Sequence, residues 1–167
     1  MRIGPDVAQL LFLLDTAFDA PSWHGPNLRG AIRGVTPALA AWRPAAGRHN
    51  IWELVVHAAY WKYVAWRRLT GAPRGSFAAG GSNWIARPQQ PGARAWRADI
   101  ALLLQAHRTL RDAVALLPSP ALGRRAATGS ATVQALVTGV AAHDLYHAGQ
   151  IQLLRRLAPG QSSRHGS

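Results

Sequence analysis

Two histidines stand four residues apart in the segment AAHDLYHAGQIQLLRR, residues 141–156. Helical residues with this spacing lie one above the other on the same face, so His143 and His147 can direct their rings at one point. Two imidazoles can then share one divalent cation, at about 2.1 Å from each nitrogen. The HxxxH pattern is weak by itself, because a buried histidine is most often a hydrogen-bonded core residue.

Both histidines lie on the apolar seam of a predicted helix that begins near Ser130 and continues to about Leu157. The seam advances in steps of three or four residues and consists of Val133, Leu136, Val140, His143, His147, Ile151 and Leu154. The pattern therefore places imidazoles where leucine is expected. Each buried ring needs partners for its nitrogens, and a shared metal ion would satisfy one nitrogen of each.

His57 is the candidate for a third ligand. It lies about two turns into another predicted helix, and facing helices of a bundle can bring it to the level of His147. Three histidines with a fourth position open are a common catalytic zinc arrangement. Glu53, one turn before His57, could orient the second ring nitrogen or act as a base, although helix capping already explains it and is the favoured interpretation.

Several other side chains are weaker candidates for the site. His107 lies on the seam of a third predicted helix, where it is either a rival ligand or a core residue. Tyr60 and Tyr146 could supply a phenolic proton, but packing at the edge of the core explains both. The residues expected to line a pocket are Trp23, His24, Trp61, Trp84 and His107.

Four long segments with helical apolar spacing would position these residues. The first three cover about Asp6 to Phe18, Asn50 to Gly71 and Trp96 to Leu117, and the fourth carries the HxxxH pair. Asn50 and Glu53 form a predicted capping box at the start of the second helix. Short helices are expected near Leu28 to Arg33 and after Thr36, which is a suitable N-cap for Pro37.

Residues 71–94 are rich in glycine and proline and lack a helical period. Phe77, Trp84 and Ile85 indicate that this segment packs back onto the helices. We therefore predict an all-α protein, a four-helix bundle with one long crossover loop between the second and third long helices. Residues 1–158 would form a single domain, and residues 159–167 a disordered tail.

The composition limits the chemistry available to the chain. Among its 167 residues there is no cysteine, so metal ligands must be nitrogen or oxygen and any thiol must come from outside. The net charge of +12 comes from eighteen arginines and Lys62. These are dispersed rather than arranged in a basic stripe, which disfavours nucleic-acid binding.

The hydropathy pattern favours a cytoplasmic protein. No apolar run approaches the roughly 20 residues that cross a bilayer. The start of the chain, MRIGPDVAQLLFLLDTAFD, is interrupted by Asp6, Gln9 and Asp15, and no convincing cleavage site follows it. We expect neither a signal peptide nor a membrane partner.

Three motifs together resemble the DinB/YfiT-like family of four-helix-bundle metal-binding proteins, which is unrelated to the translesion polymerase of the same name. They are WHGPNL near the start, HNIWELVVHAAYW, and HDLYHAGQIQLLRR. Their order and separation match the family as well as their letters, and the likeness extends to about Leu157.

The resemblance implies a metal site and a range of activities. By it, His57, His143 and His147 would hold a divalent transition metal, zinc or nickel above others, and the protein could be a homodimer. Characterised relatives include S-transferases and isomerases that use low-molecular-weight thiols such as bacillithiol or mycothiol. The alternatives are a metal-dependent hydrolase and a non-catalytic binding or stress-response protein stabilised by its metal.

Overall fold

The computed structural model describes residues 3–87 and 92–159. Over these residues the chain forms six α-helices and no β-strand, which confirms the predicted all-α fold. The helices are α1 (Pro5–Phe18), α2 (Leu28–Ile32), α3 (Pro37–Ala41), α4 (Ile51–Thr70), α5 (Ala93–Ala115) and α6 (Val133–Leu157). A short 3-10 helix, Ser119–Ala121, follows α5.

Helix α4 begins at the predicted capping box. The Asn50 side chain accepts a hydrogen bond from the Glu53 N–H (2.8 Å), and the Glu53 carboxylate accepts one from the Asn50 N–H (3.4 Å). Two N–H groups that the first helical turn leaves free are satisfied in this way. The helix ends at Gly71, whose φ of 77° lies in the left-handed region that glycine adopts readily.

Helices α5 and α6 differ slightly from their predicted bounds. Helix α6 starts at Val133 rather than near Ser130, because the Thr132 hydroxyl caps it by accepting from the Ala135 N–H (3.2 Å). Helix α5 ends at Ala115, two residues before the prediction. Leu117 precedes Pro118, and a residue in that position is disfavoured in a helical conformation.

The four long helices pack so that α4 contacts both α5 and α6, and α1 contacts the same two helices. Two hydrophobic clusters follow one another along the bundle. The first includes Trp52 of α4 and Leu103 of α5, and the second includes Leu14 of α1 and Leu110 of α5.

Between these clusters each of three helices contributes buried polar side chains. They are His57 and Lys62 of α4, His107 of α5, and Asp144 and His147 of α6. In α6, Ala141 belongs to the second hydrophobic cluster and Ala148 to the first. We call the buried polar side chains of these three helices, together with the adjoining His143, the polar layer of the bundle.

The crossover loop between α4 and α5 packs back onto the bundle, as predicted. Phe77, Ala79 and Ile85 lie against the first hydrophobic cluster. In the part of the chain that the structure describes, no helix combines the length and the apolar character that a membrane span requires. The predicted disorder of the tail concerns residues that, beyond Pro159, lie outside the described ranges.

Candidate metal centre

The three histidines predicted from the sequence lie together between α4 and α6. The Nε2 atom of His143 is 3.2 Å from that of His57 and 2.9 Å from that of His147. One ring nitrogen from each residue lies within 4.8 Å of the other two, a grouping that could hold a metal ion. Helix α6 provides two of the rings at a spacing of four residues, and α4 provides the third from across the bundle.

Two of the three rings are oriented through their second nitrogen. The Nδ1–H of His57 donates to the backbone carbonyl of Asn83 (3.1 Å). The Nδ1 of His147 lies 2.6 Å from the Gln150 Oε1, and the Gln150 amide nitrogen donates to the Tyr146 hydroxyl (3.1 Å). Because these acceptors hold the protons on Nδ1, the Nε2 atoms of both rings present lone pairs to the centre of the group.

The third ring cannot satisfy both of these lone pairs. The Nδ1 of His143 is buried and has no hydrogen-bond partner among the described residues. A proton on its Nε2 could be donated fully to only one of its two neighbours, so at least one lone pair would stay without a partner. A cation at the centre would satisfy all three nitrogens, and the donor set therefore fits a divalent metal.

The electrostatic setting keeps these rings neutral near pH 7. The pKa of His57 is lowered to about 4, chiefly by burial, with the hydrogen bond to the Asn83 carbonyl acting in the opposite direction and the neighbouring His147 and His49 adding to the decrease. Burial also lowers the pKa of His143 to about 3, with His147 and His57 adding to the effect. The pKa of His147 is lowered by the same cause. Neutral imidazole is the form that binds metals.

An aromatic stack covers His57. The Trp84 ring lies parallel to the His57 ring with centroids 3.8 Å apart, and His49 stacks on the indole at 3.6 Å. The Nδ1 of His49 is 3.0 Å from a Glu53 carboxylate oxygen, and Glu53 also binds the Arg43 guanidinium. The stack therefore connects the capping box of α4 to the three histidines through Trp84 of the crossover loop.

Glu53 caps helix α4, the favoured of its two predicted roles, and its carboxylate is not paired with His57. Its carboxylate binds Arg43, His49 and the helix start, and these partners lower its pKa against the raising effect of burial. The second nitrogen of His57 is instead held by the Asn83 carbonyl.

Asn83 was not predicted from the sequence. Its φ of 54° is left-handed, a conformation that asparagine tolerates better than most residues. Its side-chain oxygen also accepts a hydrogen bond from the Trp61 indole N–H (3.0 Å). The one available signal was an asparagine in the glycine-rich run GGSN, which favours a turn without indicating what the turn would contact.

The two tyrosine candidates have different surroundings. Tyr146 is largely exposed, and its edge lies near His147, with ring centroids 5.1 Å apart. Tyr60 is half-buried and packs against Trp61 and Phe77, as expected for a residue at the edge of the core.

Three of the predicted pocket residues lie elsewhere. His107 is buried and is not part of the group of three histidines. Its ring stacks on that of Phe18 with centroids 3.7 Å apart, and its Nδ1 lies 3.4 Å from the Lys62 ammonium. Trp23 is fully exposed and His24 is exposed, and neither lines a cavity beside the three histidines. The turn that carries them bends outward, and aromatic character alone did not predict that. Trp61 and Trp84 both lie beside the histidines.

A groove of about 560 Å³ adjoins the three histidines. Its lining includes His147 and Trp84, which lie beside the other histidines, and the α6 residues Tyr146, Leu153 and Leu157. Most of the lining is apolar, so the groove suits the hydrocarbon part of a small molecule.

The structure is an all-α bundle with three histidines that could hold a metal ion, beside a groove. A family model described as the DinB superfamily matches residues 22–151. Since the match covers most of the chain, the chain belongs to the DinB superfamily, in agreement with the resemblance of its motifs. No curated protein and no solved structure matches the chain.

Proposed function

We propose that this protein is a metal-dependent enzyme whose metal is held by His57, His143 and His147 and whose small-molecule substrate enters along the groove. The observation that supports this most directly is that one ligand, His147, belongs both to the histidine group and to the groove wall. A substrate in the groove would therefore be next to the metal.

The metal we propose is zinc or nickel, which the family resemblance implies and the donor set accommodates. Three neutral nitrogens suit several divalent transition metals, and zinc with three histidines commonly leaves a position open for a reactant. When bound, such an ion supplies Lewis acidity, which lowers the pKa of a water or thiol.

The reaction we propose is a transfer to or from a low-molecular-weight thiol. The chain has no cysteine, so a thiol nucleophile has to be a second substrate. The apolar groove would bind the electrophile by excluding water. At its edge the Tyr146 hydroxyl oxygen accepts a hydrogen bond from the Gln150 amide, which leaves the hydroxyl proton free to donate to a substrate atom.

A second candidate function is non-catalytic. The histidine group lies in the polar layer between two hydrophobic clusters, where a metal ion would connect α4 to α6 and stabilise the bundle. A metal-dependent hydrolase is the third candidate and differs from the transferase in needing no thiol.

Metal analysis combined with an activity assay tests these proposals. The protein is purified without added metal, its metal content is measured by mass spectrometry, and electrophile consumption is followed with and without a small thiol. The test variant is His143→Ala/His147→Ala, and His24→Ala serves as a control that removes an exposed histidine.

For the transferase, we expect about one metal ion per chain and thiol-dependent turnover in the wild type and in the control, with both lost in the test variant. Turnover without thiol would support the hydrolase. Metal binding that raises stability without any turnover would support the non-catalytic role. Equal metal content in the wild type and the test variant would overturn the metal site itself.

A further inference from the structure

A second cavity, of about 380 Å³, lies beside the C-terminal part of α4. Three arginines line it: Arg67 and Arg68 of the last helical turn, and Arg74 of the crossover loop. Trp61 forms part of its wall, and the centroid of the Trp61 ring is 6.3 Å from those of His57 and His143. The cavity therefore adjoins the three histidines, but none of them lines it.

Within residues 3–87 and 92–159, no carboxylate neutralises the positive charge of this cavity. All seven acidic residues lie in the described ranges, and five of them already form salt bridges with other partners. Those pairs are Asp15–Arg111, Asp19–Arg29, Glu53–Arg43, Asp99–Arg87 and Asp144–Lys62. None of the described carboxylates lies within salt-bridge distance of Arg67, Arg68 or Arg74.

The helix macrodipole explains only part of this cluster of arginines. Cations in the last turn of a helix interact favourably with its macrodipole, which accounts for Arg67 and Arg68. It does not account for Arg74, which follows the helix, or for the concave shape of the site.

Aromatic side chains also line the cavity. Tyr60, Trp61, Tyr63 and Phe77 contribute rings to the wall of the cavity. The Tyr63 hydroxyl accepts hydrogen bonds from the Ser76 N–H and hydroxyl, each 3.3 Å long. Its own proton is therefore free to donate to a bound molecule. Flat apolar walls beside guanidinium groups suit a planar molecule with an anionic group.

We propose that this cavity is a binding site for a small organic anion, a carboxylate or a phosphate attached to a planar apolar body. The guanidinium groups bind the anionic oxygens through charge-assisted hydrogen bonds, and the aromatic side chains pack against the body. The site does not require the metal, so it stands whether or not the proposed enzymatic function does.

Calorimetric titration of chelator-treated protein tests this site, because removing the metal prevents the anion from binding there instead. The probes are benzoate, phenyl phosphate and the neutral benzyl alcohol. The test variant is Arg67→Gln/Arg74→Gln. The matched control, Arg94→Gln/Arg97→Gln, removes the same charge from two exposed arginines of α5.

We expect saturable binding of at least one anion, weaker binding of benzyl alcohol, and an affinity loss of about tenfold or more in the test variant, as the loss of charge-assisted hydrogen bonds predicts. The control should bind like the wild type. The tighter of the two anions identifies the preferred group.

Two results would overturn the proposal: no saturable binding of either anion, or an equal loss of affinity in the control, which would indicate attraction to the overall positive charge. Circular dichroism verifies that the variants are folded. If the double variant does not fold, Arg74→Gln in the exposed loop carries the same test.

Discussion

The polar layer contains two neighbouring groups that satisfy their buried polar atoms in opposite ways. Lys62 of α4 and Asp144 of α6 form a salt bridge in which both side chains are completely buried. The three histidines span the same two helices, and Asp144 directly follows His143. The ion pair is neutralised by the chain itself, whereas the histidine group brings several ring nitrogens to one point and could hold a metal ion there. The contrast separates what the fold completes from what it leaves for a ligand.

The surroundings of the ion pair support its lysine but leave one carboxylate oxygen without a partner. The Lys62 ammonium lies 3.4 Å from the His107 Nδ1 and 4.8 Å from the centroid of the Phe18 ring. The second Asp144 oxygen, Oδ1, has no partner among the described residues. A buried pair of this kind gives little net stability, but removing one member leaves the other charge unpaired at high cost.

The largest effect should follow from breaking this pair. We expect Lys62→Met to lower the free energy of unfolding by about 3–5 kcal/mol, because Asp144 would then be buried without a counter-charge. The double variant Lys62→Met/Asp144→Leu should recover most of that loss. Urea unfolding measures both. A single variant as stable as the wild type would show that the pair is not what satisfies this part of the layer.

Sequence periodicity predicted the histidine group because its residues interrupt an apolar seam. His143 and His147 occupy seam positions of α6, and the capping box at Asn50 sets the start of the helix that carries His57. A period of three to four residues therefore sufficed to place all three rings on inward faces.

Periodicity did not predict the ion pair. Asp144 lies one position off the seam, and the structure shows it fully buried against α4. Helix α6 contacts α1, α2 and α4, so more than one stripe of its surface is buried. The contacts of Trp84 and Asn83 depend on the conformation of a loop without a period, which no helical pattern encodes.

Added metal should stabilise one group and leave the other unaffected. At a zinc concentration one hundred times the dissociation constant, we expect the free energy of unfolding to rise by about 2.7 kcal/mol. Lys62→Met should retain this gain from its lower baseline, and His143→Ala/His147→Ala should lose it. Thermal unfolding with zinc and after chelation measures the change. An equal gain in the histidine variant would place the bound zinc elsewhere.

Acid should act on the two groups with opposite signs in the metal-free protein. Burial lowers the pKa of His57 to about 4 and of His143 to about 3. As the pH falls below 6.5, the unfolded chain takes up protons that the folded histidines do not, so the folded state loses stability. Burial raises the pKa of Asp144 to about 6 although Lys62 lowers it. Between pH 6 and 3.8, Asp144 therefore takes up a proton in the folded chain but not in the unfolded chain. This uptake favours the folded state and offsets part of the stability that the histidines lose.

Urea unfolding at pH 7 and at pH 5 separates these contributions. We expect the stability of His143→Ala/His147→Ala to decline less on acidification than that of the wild type, because two depressed histidine pKa values are removed. The Lys62→Met/Asp144→Leu variant should decline more steeply, since the offset from Asp144 is gone. His24→Ala should follow the wild type. Identical declines in all four proteins would contradict the assignment.

The smallest effect concerns the loop residue that orients His57, a kind of support that the ion pair does not need. The backbone carbonyl of Asn83 accepts a hydrogen bond from the His57 Nδ1–H, and the φ angle of Asn83 is 54°. Glycine adopts this conformation readily, so Asn83→Gly should keep the carbonyl in place and retain zinc affinity. Valine is strained there, so Asn83→Val should displace the carbonyl and weaken zinc binding about tenfold, the lower end of what loss of a ligand-orienting contact costs.

Both substitutions remove the amide that binds the Trp61 indole, so the difference between them reports on the carbonyl alone. Competition with a chelating zinc indicator measures the two affinities, and the Lys62–Asp144 pair is intact in both proteins. If glycine and valine bind zinc equally, the carbonyl does not orient His57, and the ring is held by its stacking on Trp84 instead. If both lose affinity, the hydrogen bond to Trp61 positions the loop, and the histidine group depends on the whole segment around Asn83.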